Sequence, residues 1–416
     1  MPRIPLARRE SLWLEVQLDD EVKKLFKPKQ KVASSAVQVP TTPHTLVITN
    51  DFPPQAGGIQ TLVYEFVRRF DPATVSVLTS SHEGDAQFDA MQAFRVQRCA
   101  TSVLLPTRKT LRQAREMIEA TGATQVIFGA MAPLGLLAPA LRKLGITTIV
   151  AMSMGHEAGW AMTPILRQAL RRIANAVDTV TYLTEYTRSK IAPALSSAAA
   201  SAMVHLPPGV DTERFHPSAR VRAQTLRAEL SLTDAKVIVC VSRLMKRKGQ
   251  DALIEAMASV RRSVPDAHLV IVGKGSYGPA LAALVNKHRA QDYIHLVGEV
   301  PYGDLAAWYA VGDIFAMPCR TRNGGWDVEG LGIVFLEASA LELPVVAGDS
   351  GGAPDAVREG ITGYVVNGRN IENLSHKLVF LLEHPQDARK MGEAGREWVL
   401  REWTWDHSYD RLRTLI

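Results

Sequence analysis

From Thr45 onward one arrangement keeps returning: a short apolar run, a turn, then a stretch with helical spacing. The apolar runs fall at 45–49, 75–79, 125–128, 147–152 and 179–183, and again at 237–242, 268–272, 294–297, 314–317 and 344–348. Strands that alternate with helices are joined by crossovers, so they pair in parallel, and a parallel sheet needs helices on both faces. The chain is therefore expected to be α/β and doubly wound. Ligands of such sheets collect beyond the carboxyl ends of the strands, so chemistry is sought where apolar runs end.

At 416 residues the chain is too long for one small core. The segment Pro207 to Pro217, with proline at both ends, marks a boundary between two alternating units, 44–213 and 218–399. Residues 1–43 form an extension, read as weakly ordered apart from a short amphipathic stretch at 11–26. The composition, 46% hydrophobic, excludes disordered and fibrous classes for the bulk. Cys99, Cys240 and Cys319 are isolated, with neither metal-ligand spacing nor a disulfide framework, which fits a reducing cytosol. The apolar run 126–141 is broken by Gly129, Pro133, Gly135 and Pro139 and closed by Arg142. It falls short of the roughly 20 residues a membrane span needs, so a soluble chain is expected.

Charge is unevenly placed. Residues 1–215 hold 24 Lys and Arg against 18 Asp and Glu, and residues 216–416 hold 24 of each, so the whole net +6 lies in the first half. Within it, Arg108, Arg112 and Arg115 recur on one face of a helix predicted at 108–119, opposite Leu111, Ala114 and Ile118. A second helix, predicted at 165–177, buries Leu166, Leu170, Ile173 and Val177 and leaves Arg167, Arg171 and Arg172 outward. Two basic helices in the half that carries the excess suit an anionic membrane surface. Few aromatics interleave with these charges and no nucleic-acid motif occurs, so nucleic acid is not expected as a partner.

Candidate chemistry gathers at the strand ends. Asn50-Asp51 is followed by Gly57-Gly58-Ile-Gln60 and a helical pattern at 61–70, the loop geometry by which doubly wound folds approach phosphates. Gly155-His156-Glu157 follows 147–152. In the second unit Arg243 stands at the end of the first strand and Lys248 at the start of the next helix, a forked donor and a compact charge suited to a diphosphate. The densest string is 320–354. There Glu329 and Glu337 lie eight positions apart across Gly330-Leu331-Gly332, where a helix begins at about Ile333, and Arg320 and Arg322 precede them. A helix start offers free N–H groups and a positive dipole end to an anion. Glu329, before the turn, reaches a ligand docked there, and Glu337, on the helix, reaches one passing along its flank. Gly273-Lys-Gly275-Ser-Tyr-Gly278 is a literal G-x-G-x-x-G, but it follows the second strand of its unit rather than the first.

Over roughly 44–410 these features resemble the retaining, nucleotide-sugar-dependent glycosyltransferases of the two-Rossmann architecture (GT-B, family 4), whose acidic signature is a Glu pair with seven residues between. The resemblance implies two Rossmann-like doubly wound domains facing across a cleft, with the last helix, 400–416, crossing back to the first domain. It implies that Glu337 binds the donor ribose and that Glu329 and His156 contact the transferred sugar. Arg243 and Lys248 would neutralise the leaving nucleoside diphosphate, with Gly57, Gly58, Gly273, Gly330, Leu331 and Gly332 about the donor and Gln60 on the acceptor side. Front-face attack, with the leaving phosphate taking the acceptor proton, needs no nucleophilic triad. With no Asp-x-Asp string present, a divalent metal is expected to be unnecessary, and no cofactor is implied.

More narrowly, Thr49-Asn-Asp-Phe-Pro-Pro with Gly57-Gly-Ile-Gln, Gly155-His-Glu-Ala-Gly-Trp160, Phe315-Ala-Met-Pro, and 320–332 resemble the actinobacterial mannosyltransferases that build phosphatidylinositol mannosides. That implies GDP-mannose as donor, an inositol glycolipid as acceptor in an α-1,6 transfer, and a cytoplasmic enzyme held peripherally at the inner face of the plasma membrane. Ser153-Met154 before Gly155-His156, and Trp326 beside the donor loop, depart from the pattern. Transfer of another hexose from a different nucleotide-sugar to another lipid or polysaccharide uses the same phosphate-binding residues. An NAD-dependent oxidoreductase built on 273–278 is the alternative of another class.

Overall fold

The structure, a computed structural model, describes residues 43–416 apart from Ala56. The expected extension up to residue 42, with its amphipathic stretch, lies outside the described residues.

Two parallel sheets make two lobes. The first runs β1 (Thr45–Ile48), β2 (Val75–Ser80), β3 (Arg95–Cys99), β4 (Gln125–Phe128), β5 (Thr148–Met152), β6 (Thr179–Tyr182) and β7 (Val204–His205), in spatial order β3-β2-β1-β4-β5-β6-β7. The second comprises β8 (Lys236–Val241), β9 (Ala267–Val272), β10 (Ile294–Gly298), β11 (Ile314–Met317), β12 (Val345–Gly348) and β13 (Gly363–Val366), in order β10-β9-β8-β11-β12-β13. Inner strands such as β1, β4, β8 and β11 are apolar on both faces because helices cover both, and their residues are almost entirely buried. Strand order reverses direction between β1 and β4 in one lobe and between β8 and β11 in the other. A crevice opens at such a reversal. The loops that follow these strands, 49–57 in the first lobe and 242–249 with 318–332 in the second, carry Gly57, Arg243, Lys248, Glu329 and Gly330 to Gly332, while His156 follows β5.

The chain's end ties the lobes together. Helix Pro385–Glu402 packs on the second lobe, where Trp398 and Val399 join its core. The backbone then crosses at Trp403, whose carbonyl accepts from Val210 N at 2.7 Å. Helix Trp405–Arg413 lies on the first lobe: Trp405 meets Phe66 edge-on at 5.7 Å, Tyr409 meets Phe70 at 5.2 Å, and Leu412 is wholly buried. The last helix therefore crosses back, as the resemblance implied. No helix among the described residues is long and apolar enough to cross a membrane.

Candidate active site

The site begins with the loop after β8. Gln250, at the start of helix Gln250–Ser263, is buried and donates to Ser242 Oγ at 2.9 Å and to the Arg243 carbonyl at 3.0 Å. This clamps the loop, so Arg243 projects from a fixed backbone. Its side chain is exposed and makes no hydrogen bond or ion pair among the described residues. Lys248, five residues on, is 7% exposed, and its Nζ lies 2.7 Å from Glu329 Oε2. Glu329 is itself 6% exposed; Arg247 Nε stands 3.5 Å from the same oxygen, while Arg247 also approaches Asp327 at 3.6 Å and Arg322 approaches it at 3.4 Å.

The turn at 350–352 holds Glu329 by its backbone. Its N–H donates to Ser350 Oγ at 3.2 Å and its carbonyl accepts from Gly352 N at 3.0 Å. After it comes Gly332, with φ 77°, where any Cβ would press into the Phe335 ring at 2.5 Å. Only glycine turns the chain this sharply into helix Ile333–Ala340, whose start has no side-chain cap. The first N–H groups of this helix, three to five residues after Glu329, have no side-chain cap among the described residues. One turn further, Glu337 lines a cleft of about 930 Å³ between the lobes and accepts from the Tyr309 hydroxyl at 2.5 Å. Burial pushes its carboxyl up to about 7, against the lowering influence of Tyr309 and Arg214.

Opposite stands the first lobe. Gly57 precedes helix Gly58–Val67 and its carbonyl accepts from Thr61 N at 3.0 Å; Gly58 lines the cleft. Gln60 donates to Asp51 Oδ1 at 2.8 Å, and burial, more than the opposing His156, raises the Asp51 carboxyl above its ordinary range. His156 is half exposed, 3.5 Å from Glu157 Oε1. Glu157, by contrast, is wholly buried, and its other oxygen accepts from Ser153 Oγ, Met154 N and Gly155 N at 3.3, 3.0 and 3.1 Å. It shapes the loop that presents His156, a function the sequence reading did not assign to it.

The lobes touch around this site. The indole of Trp326, 65% exposed, comes within 3.2 Å of where a Cβ on Gly159 would sit, and Glu185 N donates to Asp355 Oδ2 at 2.6 Å.

Other residues of the second lobe have partners of their own. Gly273 lies against protein backbone on one side: a Cβ there would lie 2.0 Å from the Ser242 carbonyl, and one on Gly275 2.3 Å from that of Leu244. These glycines let the 273–278 loop press against the backbone that carries Arg243, so the G-x-G-x-x-G needs no dinucleotide to account for it. Arg320, expected along the approach to Glu329, pairs with Asp251, which also accepts from the Tyr277 hydroxyl at 3.0 Å.

The two basic helices form at Arg108–Thr121 and Pro164–Ala174. Their arginines lie on outer faces, several of them with a local partner. Arg112 and Arg115 pair with Glu116 and Glu119 of the same helix at 3.8 and 3.0 Å. Arg167 donates to the Pro193 carbonyl and Arg171 to that of Leu195 at 3.4 Å. Arg108 opens its helix behind the Thr107 cap. The sequence reading missed the exposed apolar residues beside these helices, Val103 and Leu105 near one and Met162 and Ile165 near the other.

Comparison with known proteins agrees with this geometry. The model of "Glycosyltransferase Family 4" matches residues 56–214 and that of "Glycosyl transferases group 1" residues 222–398. The chain is 46% identical over 367 residues to a Mycobacterium tuberculosis GDP-mannose-dependent alpha-(1-6)-phosphatidylinositol monomannoside mannosyltransferase, covering 87% of this chain and 94% of that one. It is 42% identical over 375 residues to the Corynebacterium glutamicum GDP-mannose-dependent monoacylated alpha-(1-6)-phosphatidylinositol monomannoside mannosyltransferase, covering 89% and 97%. Among solved structures it is similar to Anabaena HepE in complex with UDP, with TM-score 0.73 and 16% identity over 89% of this chain and 98% of that one. A glycosyltransferase from Rickettsia africae gives TM-score 0.74, also at 16% identity, over 89% and 97%. Likeness at such identities is likeness of fold. Nothing in these comparisons supports the oxidoreductase alternative.

Proposed function

This chain belongs to glycosyltransferase family 4, and from that premise we propose that it moves mannose, with retention, from GDP-mannose to a phosphatidylinositol mannoside, forming an α-1,6 linkage at an anionic membrane surface. The observation that carries the reading is the pairing of Lys248 with Glu329 at 2.7 Å, together with a helix start that no side chain caps and an exposed Arg243 that pairs with none of the described residues. Lys248 has three donors. It can hold Glu329 and still face a diphosphate, while Arg243 and the helix N–H groups take the remaining phosphate oxygens.

In this proposal Glu329 meets the mannose hydroxyls and Glu337 the ribose. His156, presented by the Glu157-bound loop, closes on the sugar from the other lobe. As the glycosidic bond lengthens, negative charge grows on the leaving phosphate, and the fixed positive groups gain most at that moment. The departing phosphate then takes the proton of the incoming acceptor hydroxyl. Identity of 42–46% over most of both chains with relatives named for GDP-mannose and phosphatidylinositol monomannoside supports donor and acceptor. Exposed Val103, Leu105, Met162 and Ile165 beside the basic helices support a peripheral seat at the inner membrane face, with apolar side chains inserting between headgroups.

The test is a thermal-shift panel of GDP-mannose, UDP-glucose and UDP-N-acetylglucosamine, followed by product analysis with phosphatidylinositol monomannoside. GDP-mannose should stabilise most and a dimannoside should form. Strongest stabilisation by a UDP-sugar would overturn the donor.

A further inference from the structure

Behind Glu337 lies a residue that the expected donor set leaves out. Tyr309, in helix Leu305–Ala310, is completely buried, yet its hydroxyl donates to Glu337 Oε2 at 2.5 Å. Its ring cannot swing. Phe215, in the segment connecting the lobes, meets it edge-on at 5.6 Å, and Phe315 of the central strand β11 stacks on it at 5.4 Å with 20° between planes. Phe335, on the same helix as Glu337, closes the row against Phe315 at 5.9 Å. Burial and the facing Glu337 hold the phenol well above its ordinary range, so it keeps its proton and donates it to the ionised carboxylate.

A glutamate has three rotatable bonds, and a free one on a helix flank would lose that freedom each time a ligand bound. We propose that Tyr309 is a positioning residue of the donor site: by holding one carboxylate oxygen of Glu337 it presents the other to the ribose hydroxyls of the nucleotide. The inference rests on the reading above that Glu337 meets the ribose. It does not depend on the base, because GDP and UDP share that sugar.

The arrangement has a second effect. Burial works against the Glu337 charge, and the Tyr309 hydrogen bond and Arg214 favour it. Among the described residues, the ionisable groups acting on Glu337 are Tyr309 from helix Leu305–Ala310, Arg214 from the lobe connection and Tyr302 from the turn just before that helix. Removing the hydroxyl alone therefore moves Glu337 further toward its neutral form. Donor binding should then weaken most at neutral pH and recover as the pH rises.

The experiment is calorimetric titration of GDP-mannose, with UDP-glucose alongside, from pH 5.5 to 8.5, into the wild type, Tyr309→Phe and Glu337→Gln. Tyr309→Phe keeps the ring and its packing, and its circular dichroism reports that the fold is kept. A hydrogen bond to a charged group predicts roughly tenfold weaker binding at pH 7, with the acid limb displaced to higher pH. Glu337→Gln should bind weakly without that limb. A Tyr309→Phe variant with wild-type affinity and an unmoved limb would overturn the proposal while leaving the donor site standing. A Glu337→Gln variant that binds like the wild type would overturn the ribose reading itself, and Tyr309's function with it.

Discussion

Lys248→Met is the perturbation that most directly probes the site, because the side chain it removes is both a candidate phosphate ligand and half of a buried ion pair. Met keeps the length and most of the volume. Glu329 would remain 6% exposed, with Arg247 Nε at 3.5 Å as its nearest cation. Removing one partner of a buried pair costs about 3–5 kcal/mol, chiefly through the charge left behind. Because Arg247 still neutralises part of that charge, the low end, about 3 kcal/mol, is expected. Glu329→Gln should cost a similar amount by stranding Lys248. The double variant, Lys248→Met with Glu329→Gln, leaves no unpaired charge and should return to within about 1 kcal/mol of the wild type. Urea midpoints of the four proteins at pH 7.5, followed by circular dichroism, measure the cycle, and GDP-mannose thermal shifts on the same samples measure the site. All three variants should lose donor stabilisation. The double variant, folded but unable to bind, separates loss of function from loss of fold. A single variant as stable as the wild type, or a double variant no better than the singles, would refute the claim that this pair is buried and mutually dependent.

Three further outcomes are expected. The Glu337 carboxyl sits at about 7 rather than 4.5 in the fold. Its folded-state value is raised, so its contribution is present at low pH and lost as the pH climbs toward 7; Glu337→Gln should therefore stabilise the ligand-free protein at pH 8 by at most about 3 kcal/mol. Thermal midpoints should rise at pH 8 and barely move at pH 4.5, and no rise at pH 8 would reject the burial argument. Gly159→Leu places a side chain where the Trp326 indole rests; small-angle scattering should show a larger radius of gyration and donor stabilisation should fall, while unchanged scattering would dismiss this contact between lobes. Replacing Arg108, Arg112 and Arg115 by Ser should weaken binding to phosphatidylinositol-containing vesicles by at least roughly tenfold, since each cation near such a surface contributes about 1 kcal/mol. Binding that is equally strong after the change would remove that helix from the membrane seat.

Most of the fold could be read from alternation alone, and its gaps have physical causes. Expected strands at 125–128 and 314–317 coincide with β4 and β11, central strands whose both faces are covered and whose composition is apolar throughout. The strands that escaped notice are at or near sheet edges. β3, Arg-Val-Gln-Arg-Cys, is buried fully only at Cys99, and β7 is two residues long; neither has the apolar run that signals a strand, because one side of each faces solvent. β13, Gly363–Val366, sits among turns whose glycines hid it. The helix expected at 61–70 starts at Gly58 instead, since Gly57 supplies the extended bend into it and the first turn is held by Thr61.

The site was legible where its residues lie close together in the chain and obscure where they meet only through the fold. Lys248 and Glu329 were both singled out, each as a separate ligand for the donor; that they pair with each other follows from β8 and β11 being neighbours in the sheet, which no spacing of 81 residues announces. The same holds for Tyr309 against Glu337 and for Trp326 against Gly159. Glu157 was visible in the Gly155-His156-Glu157 string, yet the exposed histidine drew the functional assignment that the buried glutamate makes possible. The arginine helices erred the other way. Periodicity correctly placed Arg112, Arg115, Arg167 and Arg171 on outer faces, but periodicity carries no information about which acids or carbonyls those faces meet. On the 108–121 helix the carboxylates of Glu116 and Glu119 offset the charge of Arg112 and Arg115, so that face attracts a membrane less than its count of arginines suggests. The exposed apolar residues beside the two basic helices therefore have to supply the remainder, which makes Met162→Ser with Ile165→Ser a stricter test of membrane seating than any removal of charge.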